Sequence, residues 1–129
     1  ISACLVGSEM CIRDRDNIIR VGVVCSMTGG SAIYGEGAQN AVDMAVEEIN
    51  AGDSGYKIEI VNGGKVADDA KDAKQAMNAY NKVMADSPEA IVGSFFLSVT
   101  LPMAEQASKD GMLLATGATN ADVTLKGDL

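Results

Sequence analysis

The sequence predicts an α/β fold: a parallel sheet with helices on both faces. Three observations predict it. Strand-like and helix-like segments alternate along the chain at regular spacing. The first strand-like run, IIRVGVVC over 18–25, is β-branched and almost continuously apolar, as a strand covered on both faces must be. The chain has 129 residues, of which 47% are hydrophobic and 22% charged, enough for one domain with a substantial core.

Each element has its own local justification. After the first strand, a loop carries Gly29, Gly30 and Ser31. Apolar residues then recur at Ala38, Ala41, Val42, Ala45, Val46 and Ile49, one face of a helix that starts near Gly35 and ends near Asn50 and Gly52. Tyr56 to Val61 alternates polar and apolar residues and reads as a half-buried or near-edge strand, closed by Gly63 and Gly64. A second helix places Ala73, Ala76, Met77, Tyr80, Val83 and Met84 on one face, with Asp68, Asp69 and Asp72 complementing the macrodipole near its start. A short strand at 90–93 follows, then a third helix over about 98–109 and a fourth strand at 112–115. With Ser98 as N-cap, Pro102 falls in the first turn of the third helix, where backbone N–H groups lack intrahelical partners. Right-handed crossovers between these strands produce three layers, α/β/α.

Composition excludes several functions. A net charge of -8 repels phosphate backbones, so nucleic acid is not an expected partner. The chain has no His, which removes Ser-His-Asp and Cys-His catalysis and His-ligated metal sites, and no CxxC pair stands in for it. No apolar run approaches the ~20 residues of a membrane helix. No phosphate loop or acid/base pair is visible, so an enzyme is not expected, nor is a metal or cofactor.

Residues 1–15, ISACLVGSEMCIRDR, lack a clean period, and from Leu5 to Arg15 the string resembles a translated transposon-end sequencing adapter. The segment is therefore read as non-native, and 16–129 as a truncated lobe. Cys4 and Cys11 lie in that segment, leaving Cys25, which at the end of a buried strand acts as a small hydrophobe.

In an open parallel sheet, ligands bind beyond the carboxyl ends of the strands, which directs attention to the loops there. In the first, SMTGGSAIYGEG, a GxGxxG fingerprint would need Gly at Asn40 and a tight turn; instead a long loop can place Tyr34 over a ligand or pack it locally. The loop after the third strand, GSFFLSVT, delivers Ser98 and free helix N–H groups, either to an anion or simply as a cap. The last loop, TGATNADVT, presents Thr116, Thr119 and the backbone around Gly117 for ligand contacts or for turn chemistry. Asp68, Asp69 and Asp72 interleave with Lys65, Lys71 and Lys74 and read as a solvated helix start rather than a metal or acid/base cluster. Met77, Met84 and Met103 occupy core-like positions.

The succession IRVGVVCSMTGGSAIYGEGAQNAVDMAVEEINA, then IVGS, then SVTLPMAEQASKDGMLLATGATNADVT resembles the branched-chain amino-acid-binding periplasmic proteins. The likeness runs from about Ile18 to Leu125 and would cover about a third of a complete member. It implies an incomplete Rossmann-like lobe of the type I periplasmic-binding fold. In that family two lobes close over a small ligand, and the liganded protein is handed to an ABC-type membrane permease outside the cytoplasm. By the same resemblance Tyr34 would cover the ligand's side chain, Leu97 and Ser98 would fall at the Ser-rich stretch, and Gly117, Ala118 and Thr119 would hold the amino-acid head group. Two departures stand out. Leu97 replaces a small hydroxyl and follows Phe95 and Phe96, which suits a bulkier apolar acid or an amide, and the stretch VNGGKVADDAKDAK after the second strand is longer than usual. The alternative function is a ligand-sensing domain of a regulator or receptor with the same fold.

Overall fold

The computed structural model describes residues 17–126. Its elements are β1 (Ile18–Cys25), α1 (Ala32–Ala51), β2 (Lys57–Ile60), β3 (Ala67–Asp68), α2 (Ala73–Met84), β4 (Ala90–Gly93), α3 (Leu97–Asp110), β5 (Leu113–Ala115) and α4 (Ala121–Thr124), with a 3-10 turn at Gly29–Ser31. The sheet is parallel in the order β2-β1-β4-β5, and β3 pairs with β1 beyond the end of β2. This is the predicted α/β class with a parallel sheet, and the order places β1 in the interior of the sheet as in doubly wound folds.

β1 is central because it pairs on both sides, with Val21 opposite both Ile60 and Ala90, and Val24 opposite both Ala67 and Gly93. Its last four residues are fully or nearly fully buried, which is why the run shows no alternation. At Gly93, φ is +113 and a β-carbon would lie 1.8 Å from the Val24 carbonyl oxygen, so only glycine allows β4 to run this close to β1. On one face, α2 and α3 bury Ala76, Tyr80, Val83, Val99 and Met103 against Val24 and Ile91. The Tyr80 hydroxyl donates to Asp110 Oδ2 at 2.8 Å, tying the start of that packing to the end of α3.

Several boundaries differ from the sequence expectation. α1 starts at Ala32, three residues early, so Tyr34 lies in its first turn and not in a long loop. Asp68 and Asp69 are not part of a solvated helix start: Asp68 belongs to β3 and Asp69 is fully buried, while Asp72 alone caps α2 by accepting from Gln75 N at 2.9 Å. β3 itself was not anticipated, since two residues carry no readable period. Between β2 and β3, Val61–Gly64 makes a turn in which Asn62, Gly63 and Gly64 have φ of 59, 65 and 75.

Ser98 is not the N-cap of α3. Phe96 is, without a side-chain cap, and Pro102 therefore falls inside the helix. The earlier start is set by Val99 N and Thr100 N, which donate to the Phe96 carbonyl at 3.1 and 2.9 Å, while the single Thr100 hydroxyl proton is shared between the Phe96 and Ser94 carbonyls at 2.9 and 3.1 Å. Proline has no N–H for the Ser98 carbonyl, and Ser98 is exposed, so water can take that place.

Candidate functional site

Three loops meet at the carboxyl edge of the sheet. The segment after β1 is held by two carboxylates. Asp69 Oδ1 accepts from the Ser26 hydroxyl at 2.5 Å and from Lys71 N at 2.9 Å. Asp68 accepts from Met27 N at 2.8 Å, Thr28 Oγ1 at 2.6 Å and Ala70 N at 2.8 Å. Partial burial pushes the Asp68 carboxyl up, but the bonds from the Thr28 hydroxyl and from the Ala70, Met27 and Thr28 N–H groups outweigh it and hold the group below its ordinary value. The start of α1 presses against the same segment. A β-carbon at Gly35 would lie 2.1 Å from the Ser26 carbonyl oxygen, so glycine there sets how close Tyr34 comes to the sheet edge.

Tyr34 is 64% exposed and meets Phe96 edge to face, with ring centroids 5.9 Å apart and planes at 85°. Phe96 precedes α3, whose first two residues are Leu97, 36% exposed, and Ser98, also exposed. Phe95 turns toward the loop after β5: a β-carbon at Gly117 would lie 2.4 Å from its ring. That loop continues through Ala118 to the exposed Thr119. Thr116 is a latch, not a ligand donor. Its hydroxyl donates to the Ser94 carbonyl and accepts from Ala118 N at 3.1 Å.

The structure thus links Tyr34, Phe96 with the adjoining Leu97 and Ser98, and Gly117 with Ala118 and Thr119, through Phe95 and Phe96. Those two phenylalanines are sites the residue-by-residue reading left unassigned; the signal was their adjacency directly after the short strand AIVG. Lys71 was passed over as well. Its ammonium lies 4.4 Å from the Phe96 ring centroid.

Cys25 is buried, and burial first, then the Asp69 charge, pushes its thiol up to about 12, so it stays a neutral hydrophobe. Among the described residues no group of His, Cys, Asp or Glu is placed to hold a metal ion. No helix of the described residues is long and apolar enough to cross a membrane.

Comparison with known proteins agrees with this geometry. The sequence profile of the periplasmic binding protein family matches residues 18–127. The chain is 35% identical over 112 residues to Leu/Ile/Val-binding protein homolog 1 of Brucella abortus (strain 2308), covering 84% of this chain and 29% of that protein. It has the same identity and coverage with the Leu/Ile/Val-binding protein BraC3 of Rhizobium johnstonii. Among solved structures, the substrate-binding protein LivJ of Streptococcus pneumoniae, in complex with isoleucine, superposes with a TM-score of 0.74 at 29% identity, over 86% of this chain and 32% of that one. A solute-binding protein of an ABC transporter from Rhodopseudomonas palustris BisB5, in complex with 3,4-dihydroxybenzoic acid, shares the fold with a TM-score of 0.75 at 22% identity, over 86% and 30%. The chain spans about three-tenths of the length of the curated relatives it matches. It belongs to the periplasmic binding protein family.

Proposed function

We propose that residues 16–129 form the N-terminal lobe of the substrate-binding component of an ABC-type uptake transporter. The ligand is an amino acid or a related carboxylate or amide, taken up in a cleft between this lobe and a second one. The observation that carries the reading is the meeting of three loops at the carboxyl edge of the sheet, in a chain whose relatives are named Leu/Ile/Val-binding proteins. Tyr34 covers the ligand's apolar part, Leu97 and Ser98 form the adjoining wall, and the main chain of Gly117 and Ala118 with the Thr119 hydroxyl holds the head group. A carboxylate needs donors and an ammonium needs acceptors, and closing the cleft strengthens both by excluding water. The protein works outside the cytoplasm, without catalysis, and its macromolecular partner is a membrane permease.

The test uses the full-length gene product in a thermal-shift screen against amino acids, their amides and aromatic acids. Stabilisation by one class that is lost in Tyr34→Ala with Thr119→Val supports both the function and these site residues. No stabilisation by any of them, with both lobes present, overturns the reading in favour of a signalling domain with the same fold.

A further inference from the structure

We propose that Phe95 is a gate to the candidate site: its ring turns from the main chain of Gly117 into the apolar cavity beneath α1, and the ligand takes the space it leaves. The gate rests on the solute-binding reading and gives that site a moving part. Two pockets meet at Phe95. One, of about 570 Å³, lies beside Tyr34 and Phe96 at the carboxyl edge. The other, of about 400 Å³, lies between the inner stripe of α1 and Val21, Ile58, Ile60 and Val92 of the sheet. They have Ala38, Ala41 and Phe95 in common. The alanines end at their β-carbons, so of the three only Phe95 has a side chain that can turn from one pocket to the other.

The surroundings of Phe95 are held, and its ring is not. On one side the Ser94 carbonyl accepts from the Thr116 hydroxyl and shares the Thr100 hydroxyl proton. On the other the Phe96 carbonyl accepts from Val99 N at 3.1 Å and Thr100 N at 2.9 Å. The Phe96 ring is fixed as well, edge to face with Tyr34 and with the Lys71 ammonium 4.4 Å from its centroid. With the main chain pinned on both sides, the freedom left to Phe95 is rotation about χ1 between staggered wells. In its present place the ring lies against Gly117, where a β-carbon would be 2.4 Å from it, and the residue is 41% exposed. It thereby covers part of the loop assigned to the ligand's head group. The cavity is the complementary seat. Every residue that lines it is apolar, so a ring that enters leaves water and strands no polar group. Apolar cavities of ~150 Å³ accept benzene, so the volume is ample for a phenyl ring. A ligand that binds only when the ring has turned draws the population toward the seated state.

The experiment places 4-fluorophenylalanine at position 95 of the full-length protein and follows it by fluorine NMR, with leucine, isoleucine and leucinamide as probes. Val42 and Ala45 line the cavity but not the edge pocket, so Val42→Phe and Ala45→Phe fill the seat without entering the site. A probe that raises the melting temperature should move the fluorine signal to a second position, screened from a soluble paramagnetic agent. Both cavity variants should suppress that second signal and weaken the probe ~10-fold or more, by lowering the fraction of protein able to bind. In a Phe95→Ala background, Ala45→Phe should lose its penalty; a general disturbance of α1 would keep it. A probe that binds without moving the fluorine signal, or that binds both folded cavity variants with wild-type affinity, overturns the gate and leaves the solute-binding reading standing. Should a cavity variant fail to fold, the fluorine signal of the unsubstituted cavity decides by itself. No stabilisation by these probes, nor by any ligand of the thermal-shift panel, overturns both.

Discussion

Against one face of the sheet, α2 buries Ala76, Ala79, Tyr80 and Val83 in 12 residues, and α3 adds Val99, Thr100, Met103 and Ala107. Against the other, α1 runs for 20 residues and buries only Gly35. Both α1 and α2 carry an apolar stripe of helical period, so periodicity alone does not separate them. Burial does. The α1 stripe, Ala38, Ala41, Val42, Ala45, Val46 and Ile49, lines an apolar cavity of about 400 Å³ against Val21, Ile58, Ile60 and Val92. Tyr80 and Met103 fill the corresponding space on the opposite face. The same contrast reaches the candidate site: the pocket beside Tyr34 shares Ala38, Ala41 and Phe95 with the cavity beneath α1. The open face and the candidate site are therefore continuous, while the dense face packs the opposite side of the sheet.

This comparison can be broken or sharpened by substitution. The largest expected effect is on the dense face, where Ile91→Ala should lower unfolding free energy by roughly 2–5 kcal/mol, whereas Val42→Ala beneath α1 should cost less than about 1 kcal/mol. Equal losses in urea titration would show that the two faces are packed alike. Next comes Gly35→Ala, expected to cost about 1–3 kcal/mol because the Ser26 carbonyl must give way, and to accelerate amide exchange over 26–34. A variant with wild-type exchange there would show that α1 is not seated through this contact.

Adding volume should have opposite signs on the two faces. Ala79→Leu overpacks a buried site and should cost about 1–3 kcal/mol, while Ala45→Leu fills empty apolar space and should be neutral or stabilising by up to ~1 kcal/mol. Thermal melting of the pair checks this, and destabilisation by both would refute the contrast.

A smaller effect concerns acid. Because the Asp68 carboxyl is held below its ordinary value in the folded protein, its contribution is fully present above the unfolded value of about 4 and is lost as pH falls through the lowered folded one. Asp68→Asn should flatten that acid limb of the urea midpoint against pH; an unchanged limb would show that other carboxylates carry it. The smallest effect belongs to the surface. Glu105 and Lys126 pair at 2.8 Å on the exposed surface, and Lys126→Ala should leave the melting temperature unmoved.

How far the sequence could be read differs between the framework and the site. The run at 18–25 and the stripe of α2 were legible because burial on two faces and on one face leave distinct patterns over many residues. β3 was not, being two residues long and held by pairing with Val24 and Cys25. Asp68 and Asp69 read as solvated because acidic residues beside lysines usually are, yet the backbone N–H groups and hydroxyls that engage them come from residues 40 or more positions away as well as from their own turn. Ser98 had the composition of a cap, but the helix starts earlier, with Val99 N and Thr100 N bonded to the Phe96 carbonyl.

By itself the sequence determined the α/β class, the order of the longer strands and helices and the edge at which to look for a ligand. These follow from short-range periodicity and from the handedness of crossovers, both of which a single chain carries in full. Only the tertiary structure decided that Tyr34, Phe95 and Phe96 line one pocket with Lys71 over the Phe96 ring, that the two aspartates hold the loop after β1, and that one face of the sheet is dense and the other open. Those outcomes depend on which side chains from distant segments reach the same volume, and no local pattern encodes that.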